Sequence, residues 1–315
     1  MTTYFRKKKE YKVYTLVTIG VVVGFIFSLG IGSVYVPADE IAKMLLIRIP
    51  FLADKILKDW SNANEAIVLY LRLPRVILAF MVGAQLSAAG AIYQGVFRNP
   101  MADPYIIGAS SGASLGASVG ILFFPTLKIF GIGSTPLFAF IGSAGTVILV
   151  YSLASIGGRT YSFTLLLSGV AVSSFMSAIV SFFMYFNDNK LHQIYLWLMG
   201  SFSSQGWNEI YINLPYAIVG FLMAYWNLRY LNILQLGEET AFFTGVDTEK
   251  QKKITLSAAA LLTASAVAVS GVIGFVGLII PHITRMIAGP DYRQLFPLSS
   301  LIGGLYLMMA ATVSR

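Results

Sequence analysis

The chain contains no cysteine, which removes disulfide frameworks and thiolate metal ligands from its repertoire. Histidine is almost as scarce. His192 and His282 stand far apart and no His-Glu-x-x-His occurs, so the ligand set of a membrane metalloprotease is missing. Charged residues make up 11% of the 315, too few to cover the surface of a soluble domain. No Asp, Glu, Lys or Arg lies near the middle of a long apolar run, where proton-coupled carriers and pumps place their relays. The phosphate-loop pattern Gly-x-x-x-x-Gly-Lys-Ser/Thr is also absent, so any uphill transport must draw its energy from another subunit.

What the chain has in abundance is apolar length: 57% of residues are hydrophobic and the mean hydropathy is +0.74. Uncharged runs cover 13–36, 76–97, 104–127, 129–158, 160–187, 210–228, 254–284 and 294–314. Each can cross a hydrocarbon core of about 30 Å, which takes roughly 20 helical residues. The run 254–284 is too long for one crossing, and Gly271, Gly274 and Gly277 offer a place to turn, so nine crossings are expected in a single all-α, polytopic domain, 1–315. The net charge of +8 gathers at the edges of these runs and is no nucleic-acid footprint. Arg6, Lys7, Lys8, Lys9 and Lys12 precede a run too long for a signal peptide, so the first helix stays attached. The larger share of basic residues then falls on the N-terminal side, which predicts a cell-membrane protein with a cytoplasmic tail (1–12), an external loop (37–65) and a cytoplasmic loop (230–253).

Gly108, Gly112, Gly116 and Gly120 recur at every fourth position, a face that lets another helix backbone approach closely. Gly108-Ala-Ser110-Ser-Gly112 also fits the nucleophile-elbow pattern, but it lies in an apolar helix without the strand, His and acid that the chemistry needs. Gly271, Gly274 and Gly277 miss the dinucleotide spacing and read as a kink or contact face. His282 follows Pro281 and is either a hinge-supporting residue or a histidine satisfied by a neighbouring carbonyl. From Gly237 through Glu238, Glu239, Ala241, Phe242 and Phe243 to Gly245 the chain reads as one or two short helices, acidic at the start and glycine-ended. The apolar face of Ala241, Phe242 and Phe243 suits a docking surface for another protein, or a loop lying on lipid. Arg72 and Arg75 flank Pro74 at the expected mouth of a helix, where they could snorkel to headgroups.

Read in order, Leu71-Arg-Leu-Pro-Arg75, Asn99-Pro-Met-Ala-Asp-Pro104, the ladder from Gly108 to Gly116, Leu165-Leu-Leu-Ser-Gly-Val-Ala171, Trp197-Leu-Met-Gly200, the loop from Gly237 to Gly245 and Gly274-Phe-Val-Gly-Leu-Ile-Ile-Pro-His282 resemble the permease family of bacterial and archaeal ABC importers for iron-siderophore complexes, haem and vitamin B12. The resemblance implies a ten-helix permease fold with an inverted repeat, nine of the helices being present here and the glycine-ladder helix pairing with the Gly274–His282 helix. It also implies a second permease subunit, two cytoplasmic ATPases holding ATP and Mg²⁺, an extracytoplasmic binding protein, and no cofactor on this chain. Arg72, Arg75 and Arg315 match arginines that dock the binding protein, and the Gly237–Gly245 loop matches the segment that docks the ATPase. Ser162, Phe163, Leu167, Pro281 and His282 fall in the gate and pathway region, with Phe163 departing from a small polar residue in some relatives. The family continues past the arginine matched by Arg315 through a further loop and helix, so a shortened chain is expected. The implied function is import by alternating access without bond chemistry. A sodium-coupled carrier and an intramembrane hydrolase using Ser110 are the rival classes.

Overall fold

The computed structural model describes residues 2–48, 51, 57–129, 131–156, 159–243 and 245–314, with the backbone alone for 2–10, 156, 159, 238, 239 and 242. Helix α1 (Thr2–Gly30) starts inside the basic segment, so the expected tail is helical rather than separate. The last residues of its apolar run, 31–36, leave the helix and fold back, the Val36 N–H donating to the Gly30 carbonyl at 3.2 Å. Helix α2 (Ala38–Leu46) occupies the first part of the expected external loop and buries Ile41 and Met44 against Leu29 and Val36.

Helix α3 (Asn62–Val96) is continuous over 35 residues. Ser61 caps it, its hydroxyl accepting from the Asn64 N–H at 3.0 Å. Pro74 cannot donate to the carbonyl one turn back, and the wider π-type turn Ile67–Arg72 carries the chain past it. Arg72 and Arg75 therefore lie inside a helix, not at its mouth. From Val82 to Val96 every residue of α3 is buried, as befits a helix apolar on all sides. Its far end closes in a Schellman motif: Arg98 takes the left-handed position (φ 49°), its N–H bonding the Gly95 carbonyl (3.2 Å) and that of Asn99 the Gln94 carbonyl (3.1 Å). The 24 residues from Leu73 to Val96 place the Arg72 and Arg98 ends of the bundle roughly 36 Å apart.

Around α3 stand α13 (Tyr292–Val313), α11 (Thr248–Ser270), α12 (Val276–Ala288) and α8 (Trp207–Trp226). A second group, α4 (Ala109–Phe123), α5 (Ser134–Ala154) and α6 (Ser162–Phe186), joins the first through α11. Two-residue strand pairs close α4–α5, with β1 (Lys128–Ile129) on β2 (Ile132–Gly133), and α5–α6, with β3 (Ser155–Ile156) on β4 (Arg159–Thr160). Short helices α7 (Asp188–Leu198), α9 (Leu228–Leu234) and α10 (Glu238–Phe243) complete the chain.

Among the described residues the nine expected apolar helices are present; six are long and apolar enough to cross a membrane, and two, α4 and α12, are too short to cross alone. The 15 residues of α4 and the 13 of α12 extend about 22 and 20 Å, short of a hydrocarbon core of about 30 Å. Each is entered through a residue of left-handed backbone, Gly108 (φ 84°) and Phe275 (φ 68°). Helix α12 starts against Gly90, beside the middle of the apolar part of α3, and runs toward the Arg98 end. Helix α4 runs the opposite way, since the hairpin after it reaches Asn208 at the start of α8, beside Trp207, whose indole bonds the Leu69 carbonyl at 3.2 Å.

Candidate functional site

At the Arg72 end, the two arginines face different surroundings. Arg72 is 5% exposed and its guanidinium donates to the carbonyls of Leu29 (2.8 Å), Gly30 (3.0 Å) and Val34. Leu29 and Gly30 are the last two residues of α1, where a cation meets the negative pole of the helix, and Val34 belongs to the segment that folds back after it. Snorkelling to headgroups does not describe it, because its donors are committed inward. Arg75 instead lines a cavity of about 380 Å³ with Ser201, Ser203, Gly274, Ala311 and Ser314. Its Nε is buried without a hydrogen-bond partner among the described residues. Arg315 lies outside the described residues, although its neighbour Ser314 borders the Arg75 cavity.

In the interior, the two half-helix entries are tied together. The Tyr105 hydroxyl donates to the Ile273 carbonyl (2.9 Å) and accepts from its N–H (3.3 Å), satisfying backbone left open where α11 breaks. The turn from Asn99 is itself held by two Asx turns, Asn99 accepting from Met101 N–H (2.9 Å) and Asp103 from Tyr105 N–H (2.8 Å). Pro281 withholds the donor that the Gly277 carbonyl would use, and that carbonyl faces Gly90 of α3, where a side chain would collide. Pro281 thus marks a close helix contact. His282 is exposed on the outer side of α12, rather than turned in toward a carbonyl.

Gly112 and Gly116 meet the backbone of α5 at Gly142 and Phe138, and Gly120 approaches Ser134. Gly108 stands at the entry of α4, outside the helical ladder. Ser110 sits in the first turn of α4 and its carbonyl accepts from Ser114 at 2.7 Å. Gln85, Asn213 and Ser265 form a buried polar cluster of uncharged side chains. The Gln85 and Asn213 amides exchange two bonds (3.0 and 2.8 Å), and Gln85 also donates to Ser265 (2.9 Å). An amide in the middle of an apolar run was the available signal.

At the Arg98 end, Gly237 (φ 113°) and Gly245 (φ 79°) bracket α10. Phe243 is 85% exposed and Leu236 is exposed too, while Ala241 is fully buried and does not belong to the expected apolar face. The side chains of Glu238, Glu239 and Phe242 lie outside the described residues. The gate positions divide into two groups. Phe163 (74% exposed) and Leu167 share an outward edge of α6 with half-buried Ser162. Pro281 and His282 belong to α12, which packs on α3 and α13 rather than on α6.

A bundle of apolar helices, two of them broken in its interior, defines a multi-pass membrane transport permease. The chain belongs to the FecCD transport family, whose model matches residues 20–315. It is 43% identical over 253 residues to the cobalamin import system permease protein BtuC of Halobacterium salinarum, covering 80% of this chain and 67% of that one. It is 41% identical over 264 residues to the hemin transport system permease protein HmuU of Yersinia pestis, covering 81% and 78%. A solved structure described as an inward-facing conformation of a metal-chelate type ABC transporter superposes with a TM-score of 0.80 at 30% identity, over 96% of this chain and 90% of that one. The fold class and the importer-permease class read from the sequence agree with these relatives.

Proposed function

We propose that this chain is the membrane-spanning subunit of an ATP-driven importer for a bulky metal chelate, a ferric siderophore, haem or cobalamin. Two copies form one pathway, two cytoplasmic ATPases bind ATP and Mg²⁺ and carry out the hydrolysis, and an extracytoplasmic binding protein delivers the substrate. The N-terminus is cytoplasmic in this arrangement, which puts the Arg75 cavity outside and α10 inside. The single observation that carries the reading is α10. A short helix held between two left-handed glycines carries exposed Phe243, exposed Leu236 stands just ahead of it in the chain, and Ala241 is buried. Such an apolar projection on a polar end suits a protein partner. Its motion would then alternate access to the central pathway, which needs no bond chemistry from the permease.

Purification of the intact complex from native membranes tests the reading. Native mass spectrometry should return two permeases with two ATPases, and Phe243→Asp should strip the ATPases from the permease. A permease that purifies without an ATPase, or a Phe243→Asp chain that keeps it, would sink the proposal.

A further inference from the structure

The second turn of α11 holds a buried lysine that docking does not use. Lys252 is 1% exposed and its ammonium donates to the Thr160 carbonyl at 2.7 Å. Glu249, one turn earlier, accepts from the Thr160 N–H at 3.2 Å and lies 3.9 Å from Lys252. A single residue of β4 is therefore gripped through both its backbone groups by two opposite charges spaced i, i+3 on one helix. Burying a lysine is costly unless it is paired, so the site is built rather than incidental. A strand pair of two residues has little stability of its own, so Thr160 takes its position from α11.

Connectivity gives the grip its meaning. Helix α11 begins just after Gly245, at the end of the docking segment, and Thr160 stands two residues before Ser162, where α6 begins. We infer that Lys252 and Glu249 are positioning residues that make the start of α6, with Ser162 and Phe163, follow the docking segment as one body. The inference rests on the docking role of α10 given above. Removing the grip takes away a hydrogen-bonded tie between α11 and the residue that leads into α6, so that a displacement of one need not move the other.

The lack of cysteine makes a clean test possible. In the intact complex, Phe163→Cys serves as reporter, and its reaction rate with a maleimide is measured with and without Mg²⁺, ATP and vanadate. Nucleotide trapping should change the rate about tenfold in the Lys252 parent. Lys252→Met, which keeps the apolar stem, should reduce that change to less than about twofold, and Lys252→Arg should restore it. Glu249→Ala should behave like Lys252→Met and speed hydrogen exchange at Thr160 by about tenfold. The ATPases should stay attached in every variant, which separates this test from the Phe243→Asp test of docking. A Lys252→Met complex with the full nucleotide-dependent change overturns the inference. So does a parent with no change, or a Lys252→Met chain that loses its ATPases.

Discussion

Arg72 reaches across 43 positions of sequence to place its Nη1 2.8 Å from the Leu29 carbonyl, so that the arginine of one helix finishes another. The chain leaves room for it at Gly32, where a Cβ would sit 2.9 Å from the Arg72 Cζ. Arg72→Met should therefore destabilise the protein by about 3 kcal/mol, with Gly32→Val acting in the same direction. Thermal melting in detergent measures both. Arg72→Glu would unfold the α1–α3 junction, so the docking role of arginines at this end is tested with Arg75→Glu alone. That variant should keep its melting temperature and lose stimulation of ATP hydrolysis by the binding protein. Unchanged stimulation would remove Arg75 from docking.

The contact between Gly90 and the Gly277 carbonyl leaves no space for a methyl group. Gly90→Ala should cost about 1–3 kcal/mol through overpacking, although alanine is the better helix former. Gly145 of α5 provides the control, since a Cβ there meets nothing within 4 Å. Gly145→Ala should leave the melting temperature unchanged or raise it. Equal effects at both positions would contradict the close approach.

The Gln85–Asn213 pair calls for a double-mutant cycle. Gln85→Leu and Asn213→Leu each leave a buried amide partly unpaired, so the double variant should lose less than the sum of the single losses. A coupling of about 1 kcal/mol is expected, in line with hydrogen bonds between membrane helices. Strict additivity in reversible unfolding would mean that the two amides act independently.

Lys43 of α2 pairs with Asp59 ahead of α3. The bond from Lys43 holds the Asp59 carboxyl below its ordinary range, and the same bond raises the Lys43 ammonium above its own. A lowered acid loses its contribution as pH falls through its folded value, and a raised base loses its contribution as pH rises through its folded value. The link should therefore hold between about pH 4 and pH 10 and weaken outside those limits. Both groups are exposed, so salt should weaken it too. Hydrogen exchange of the α2 amides across pH and salt reads this directly. Protection independent of both would show that α2 is held by Ile41 and Met44 alone.

Much of the fold was legible because helix ends and apolar runs are local. The run 254–284 announced its break through its glycines, and the chain turns there at residues 271–275. Residues 104–127 read as one crossing, yet the helix begins only at Ala109, because Asn99 and Asp103 hold the preceding turn in Asx geometry. Ala241 looked like part of an exposed apolar face and proved buried, since the facing of a six-residue helix depends on its neighbours. In sequence Lys252 stands with Lys250 and Lys253 just ahead of an apolar run, like any basic residue at a membrane edge. Its partner, Thr160, is 92 positions away, and no local pattern marks such a pair.

The sequence by itself determined that this is a membrane-embedded helical chain, because hydrocarbon tolerates only backbone that satisfies itself and selects long uncharged runs, and its ordered motifs carried the likeness to the permease family. Tertiary structure alone decided that Arg72 caps a helix while Arg75 opens on a cavity, and that two charges of α11 close on Thr160. The cost of burying a charge depends on which carbonyls and carboxylates the fold brings within reach, and that is settled by contacts between distant segments.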